Sequence, residues 1–337
     1  MDEDLFYDRL HQRCPREYLL KELETNEHTV ILSVSRFINE MELVQAANAY
    51  YCKTIIKALL DNDWILSEAL TMANEDEDED GPEISDYLYE KYIELLSTGK
   101  PDPTMKEIIR YRFDENVKIN IEETPNLISA ASTTGFRTWE AALYMGDFLM
   151  HEPLLELVHG DDKKKLNVLE IGAGTGIVSL VLLHKYREYV SKMYVTDGDS
   201  DLVETQLRRN FELNDAWREQ SPDIRLQRLW WGSDRVPDEV NLVVAADVTY
   251  DSTIFPELCQ CLAECLAMSH CKVCLLSATI RSYSTDKEFA QECHKVGLKY
   301  SVVTSTEYDR NSEARMEESL LFKPLIAPIR IYKVVRL

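Results

Sequence analysis

From residue 166 to the C-terminal end, short apolar runs alternate with stretches of helical period, and few architectures accept that rhythm. "LNVLEIG", "KMYVTD", "IRLQRLWW", "NLVVAAD" and "KVCLLSA" read as strands. Between them "GIVSLVLLHKYREYV", "SDLVETQLRRNFELN", "TIFPELCQCLAECLAM" and "DKEFAQECHKVG" read as helices, the second with Ser200 as N-cap. Apolar strands separated by helices imply a mainly parallel sheet covered on both faces. The last two strands, "KYSVVTS" and "APIRIYKVV", have no helical pattern between them and are expected to pair antiparallel, since a parallel return needs a crossover.

The first part of the chain follows another pattern. "FINEMELVQAANAYYCKTIIKALLDN" carries Met41, Val44, Tyr51, Ile55 and Leu59 at helical spacing, and "EISDYLYEKYIELLS" gives a second helix. The six acids of 75–80 between them predict a solvated loop. "NVKINIEE" alternates Val117, Ile119 and Ile121 with polar residues, the mark of a half-buried strand. A mainly helical region over 1–125 followed by an α/β domain over 126–337 is the expected organisation. The net charge of −23 disfavours a phosphate backbone as partner and favours a basic protein surface. No run is long enough to span a membrane, and the acidic start "MDEDLFYDRL" is unlike a targeting peptide, so a cytoplasmic protein, monomeric by default, is expected. The eight cysteines then read as reduced thiols. Cys259, Cys261, Cys265, Cys271 and Cys274 lack the paired spacing of a metal site, and His294 suits the C-terminal end of its helix.

Three glycines, Gly172, Gly174 and Gly176, follow the first strand of the alternating region in "EIGAGTG". At the C-terminal end of a parallel strand such a turn brings backbone N–H groups and a helix start towards a ligand. Glu170 precedes the turn, and Asp197 ends the next strand, where a carboxylate can accept two ribose hydroxyls. A dinucleotide fingerprint needs its third glycine at position 177, which is Ile177. The G-x-G-x-G spacing behind an acid fits S-adenosylmethionine better, whose carboxylate suits the turn and whose ammonium suits nearby acids. "RLWWGS" brings Trp230 and Trp231 to the end of the third strand, beside the place for an adenine. "AADVTY" brings Asp247 and Tyr250 to the end of the fourth, where a nucleophile must be held.

Taken in this order, these motifs resemble the seven-β-strand protein-lysine methyltransferases of the family-16 group. "TTGFRTWEAALYMGDFL" is similar to that group's lead-in helix, and the whole chain resembles its fungal members that act on translation elongation factor 2. The resemblance implies a class I, Rossmann-like S-adenosylmethionine-dependent sheet of order 3-2-1-4-5-7-6 with an antiparallel last strand. It implies a cofactor site of Trp139, Gly172, Ala173, Gly174, Asp197, Trp231 and Ala246, with Glu170 supporting and Trp230 left to packing. By the same resemblance Asp247 and Tyr250 form the D-x-x-Y pair lining a lysine channel, the product is trimethyllysine, and the helical region recognises the substrate. Two other functions share the scaffold: a methyltransferase for small molecules or nucleic acids, and a cofactor-binding protein without turnover. The acidic charge and the lack of an N-P-P-Y type motif count against nucleic acid, and the intact glycine turn counts against the scaffold.

Overall fold

The computed structural model describes residues 1–62, 64–73, 84–127, 134–159, 165–218 and 222–337. Two compact units divide between Arg110 and Tyr111. That is earlier than the sequence suggests, because the alternating strand after the division is tied into the larger unit. The Asn120 N–H donates to Asn214 Oδ1 (2.9 Å) and the Glu122 N–H to Asn210 Oδ1 (2.8 Å).

The smaller unit contains α1 (Glu3–His11), α2 (Arg16–Thr25), β1 (Val30–Ser33), α3 (Val34–Ala47), α4 (Ala49–Leu60), β2 (Leu70–Ala73) and α5 (Ile84–Glu94), and the chain leaves it along β3 (Glu107–Arg112). The long helix expected over 37–62 is broken at Asn48, whose backbone is extended (φ −155°, ψ 92°) and whose side chain caps α4 by accepting the Tyr51 N–H at 2.8 Å. β1 and β2 pair in parallel, a small sheet too short to leave a period in the sequence. The acids of 75–80 lie outside the described residues. No described helix is long and apolar enough to cross a membrane.

The larger unit begins with β4 (Lys118–Glu123), α6 (Glu140–His151) and α7 (Leu154–His159). It continues through β5 (Leu166–Ile171), α8 (Ile177–Tyr186), β6 (Val190–Asp197), and α9 (Ser200–Leu202), which passes through a π turn into α10 (Arg208–Leu213). Then come β7 (Asp223–Arg228), β8 (Leu242–Ala246), α11 (Phe255–Ala267), β9 (Val273–Thr279), α12 (Tyr283–Lys295), β10 (Leu298–Ser305), α13 (Arg310–Ala314) and β11 (Ile329–Arg336). One seven-stranded sheet runs β7-β6-β5-β8-β9-β11-β10, with β11 antiparallel to both neighbours. This is the order 3-2-1-4-5-7-6 that the family resemblance implies. A helical segment does lie between β10 and β11, started by Asp309, which accepts the Asn311 N–H (3.1 Å) and Ser312 N–H (3.2 Å). Its charged sequence hides the apolar period. Asp199, not Ser200, caps α9, accepting from Asp201 and Leu202.

Both faces of the sheet are buried. Leu169, Ile171, Val243, Ala245 and Leu276 pack with Leu258, Leu262 and Leu266 of α11 and Phe289 of α12. Each such leucine, removed from water, contributes about 2 kcal/mol. α6 and α8 pack on each other, α8 meets β6, and α6 meets β8 and β9. All eight cysteines are unbridged and buried, and His294 lies in the last turn of α12.

Asn210 is fully buried and ties three elements together, since its Nδ2 also donates to the Thr175 carbonyl at 2.9 Å. Asn210→Ala strands a half-buried N–H and a buried carbonyl, so a loss of about 2 kcal/mol, near 5 °C in Tm, is expected by calorimetry.

Candidate active site

A cavity of about 770 Å³ opens at the C-terminal edge of the central strands. Trp139, Glu170, Gly172, Ala173, Gly174, Asp197, Trp231, Ala246, Asp247 and Tyr250 all line it. The topology explains the convergence: β5, β6 and β8 are parallel neighbours, so their ends open on one edge.

The turn from β5 to α8 is built on left-handed backbone. Gly172, Gly174 and Gly176 have φ of +64°, +53° and +80°, a region costly for other residues. At Gly172 a Cβ would lie 2.6 Å from Val248 Cγ1, so the bare backbone is what leaves the cavity its floor. The Gly174 N–H donates to Asp197 Oδ2 at 3.0 Å, and Asp197 Oδ1 accepts the Asp199 N–H at 3.2 Å. Burial raises the Asp197 pKa and these N–H bonds oppose the rise, leaving it above the ordinary value.

Glu170 sits beneath the turn. Its carboxyl is buried and accepts the Ser179 N–H (3.2 Å) and hydroxyl, which anchors the first turn of α8. Burial, only partly offset by those bonds, pushes its pKa up to about 8. Trp139 stands just before α6, its Nε1 donating to the Thr134 carbonyl at 3.0 Å. The guanidinium groups of Arg137 and Arg281 lie 4.4 and 5.4 Å from its ring centre.

The third strand stops at Arg228, leaving both tryptophans in the following loop. Trp231 packs partly into the core and approaches Gly172. The resemblance left Trp230 to packing, but it is 56% exposed, lines the cavity and lies against Gly198.

Asp247 adopts φ +54° just past β8, which Asp tolerates better than most residues. Its N–H donates to the Ser277 carbonyl (2.8 Å), and its buried carboxylate accepts from the Thr279 N–H and from Arg281. Tyr250 is half exposed at the rim. Sequence reasoning missed Arg281. A cation two residues beyond a buried strand, on the edge where the motifs converge, was the available signal.

A flat base, a ribose and an amino-acid end find indoles, a strand-end carboxylate and a bare turn here, so the residues fit S-adenosylmethionine. Fold and site together define a methyltransferase that takes its methyl group from that donor. A family model described as lysine methyltransferase matches residues 115–296. The protein-lysine N-methyltransferase EFM3 of Saccharomyces cerevisiae is 72% identical over the full length of both chains. EFM3 of Chaetomium thermophilum is 31% identical over 64% of this chain and 66% of its own. The human protein-lysine N-methyltransferase EEF2KMT is 26% identical over 64% of this chain and 66% of its own. The chain belongs to the lysine methyltransferase family and is a protein-lysine N-methyltransferase.

Glu170 gives a test of this geometry without turnover. Its folded pKa is raised from an ordinary 4.5 to about 8, so between those values the folded state holds a proton that the unfolded state has lost. Stability must therefore fall as pH rises through that window, by at most about 1.4 kcal/mol per pH unit. Glu170→Gln keeps an acceptor for Ser179 and cannot ionise. Its Tm should decline less between pH 5 and pH 8 than that of the wild type; parallel declines would contradict this placement of the carboxyl.

Proposed function

We propose that this enzyme trimethylates a lysine of translation elongation factor 2, and that it does so in the cytoplasm. The observation that carries the site assignment is that the D-x-x-Y pair, Asp247 and Tyr250, borders the same cavity as the glycine turn and Asp197. The substrate assignment is supported by the motif resemblance and by the full-length likeness to the Saccharomyces enzyme.

S-adenosylmethionine supplies a methyl group already activated on a sulfonium, so no covalent bond to the chain is required. The glycine turn and Gly174 receive its amino-acid end, Asp197 its ribose hydroxyls, and Trp231 with Trp230 its base; Trp139 and Ala246 complete the wall. Glu170 supports the turn through Ser179. Asp247 and Tyr250 accept hydrogen bonds from the lysine amine and aim its lone pair into the cavity. Presenting that lysine neutral near pH 7 costs about 4 to 5 kcal/mol, and desolvation in the channel helps to offset it.

The smaller unit is assigned to gripping the substrate. This follows from its length beyond the sheet domain, with the domain expectation of 1–125 and 126–337 retained as the functional division. A transferase for a small molecule on the same scaffold is the alternative.

Tritiated S-adenosylmethionine, the purified enzyme and extract from cells lacking it, resolved on a denaturing gel, test the proposal. One labelled band at the size of elongation factor 2 is expected. Asp247→Ala should abolish it while cofactor affinity stays within a few fold. Label only in small molecules, or full activity in the variant, would contradict the substrate or the role of Asp247 respectively.

A further inference from the structure

Asp247 does not meet the acceptor end of the cavity as a free carboxylate. Arg281, two residues past β9, grips it side-on, with Nη1 3.1 Å from Oδ1 and Nη2 2.7 Å from Oδ2. The Thr279 N–H donates to Oδ1 at 3.2 Å. A carboxylate has about four lone-pair positions, and these bonds take three of them. The position left is on Oδ2. The same guanidinium lies 5.4 Å from the ring centre of Trp139, so one cation touches both the acceptor carboxylate and the indole on the donor side. Burial pulls the Arg281 pKa down, and the bond to Asp247 overrides it, so the group stays charged.

We propose that Arg281 is a positioning residue for methyl transfer. It clamps Asp247 and cancels most of its charge, so that the acceptor lysine is held as a neutral amine and not as an ion-paired ammonium. This rests on the assignment of Asp247 as the amine's anchor. The chemical problem is specific. A lone carboxylate within about 4 to 6 Å of an amine raises the amine's pKa by one to three units, and an ammonium has no lone pair with which to attack. A carboxylate already paired with a guanidinium keeps a hydrogen-bond acceptor on Oδ2 but exerts little net attraction on a cation. The clamp also fixes which lone pair is offered, because the bidentate fork sets the plane of the carboxylate.

The other charges near this end are already balanced or tied. Glu140, at the start of α6, faces Lys323 at 3.1 Å and Arg137 at 3.5 Å. Asp251 accepts the Thr253 N–H and hydroxyl. Asp286 of α12 accepts the Tyr332 hydroxyl at 2.8 Å and faces Arg330 at 3.4 Å. Glu140 also acts on Arg281 through its charge, but its own ion pairs, and the bonds of Asp251 and Asp286, are made with other residues. Changing Arg281 therefore acts on the amine through Asp247, whose charge and orientation it controls, while the ion pairs of Glu140 and Asp286 keep their own partners.

Arg281→Gln removes the charge and Arg281→Lys keeps it while losing the fork. The pH dependence of kcat/KM is measured with saturating S-adenosylmethionine and elongation factor 2 purified from cells lacking the enzyme. Cofactor affinity by calorimetry and the Tm of each variant accompany it. In Arg281→Gln the acid limb should move up by about one pH unit, a roughly tenfold loss at pH 7 that recovers near pH 9.5. In Arg281→Lys the limb should stay at the wild-type pH while kcat falls several fold at every pH. A loss in Arg281→Gln that is equal at every pH, or one explained by weakened cofactor binding, would overturn the inference while leaving the function intact. Wild-type enzyme that transfers no label to elongation factor 2 would overturn the proposed substrate and this inference with it.

Discussion

Burying both faces of the central sheet takes every interior position out of chemical use and leaves function one place, the C-terminal edge. Val168, Leu169, Leu242, Val243 and Leu275 are fully buried on one face or the other. What differs along the sheet is how each strand ends. β5 runs into a bare turn, β6 ends in Asp197, β8 is followed by Asp247 and β9 by Arg281 two residues on. Strand order brings these ends together: β6, β5, β8 and β9 are consecutive neighbours, so a ligand lying across them meets each in turn. The antiparallel β11 lies beyond them and closes the sheet on β10.

Three of the carboxylates that line the site, Glu170, Asp197 and Asp247, are sorted by their surroundings. Glu170, beneath the turn with Ser179 as donor, is pushed towards the protonated state and serves the fold of the helix start. Asp197 is half-buried and receives backbone N–H bonds that stabilise its charge and hold it at the edge of the cavity. Asp247 has a guanidinium on both oxygens. Under the proposed mechanism, residues of one chemical type would serve as a structural acceptor, a hydroxyl acceptor and an amine anchor, with the environment deciding which.

The sequence carried the architecture of the larger unit because its signals are local and strong: buried strands are continuous apolar runs, and the glycine turn has a fixed spacing. It was weaker where tertiary contacts override local pattern. The break at Asn48 falls inside an unbroken helical period, and only the cap it makes on Tyr51 reveals it. The segment 310–321 is helical although its charged sequence shows little apolar face. Trp230 and Trp231 are adjacent and chemically alike, so their opposite directions, one towards the core and one along the cavity, depend on where β7 stops. Arg281 belongs to no motif; it becomes visible only when β9 is placed beside β8 and its side chain meets Asp247.

A crystal structure with S-adenosylhomocysteine, the demethylated product of the donor, tests the central claim most directly. The expected result is one molecule across the edge of the sheet, its amino-acid end at Gly172–Gly174, its ribose on Asp197, and its sulfur facing Asp247 and Tyr250. Product bound with its sulfur turned away from Asp247, or seated instead in the separate cavity of about 480 Å³ beside Asp147 and Arg315, would contradict it.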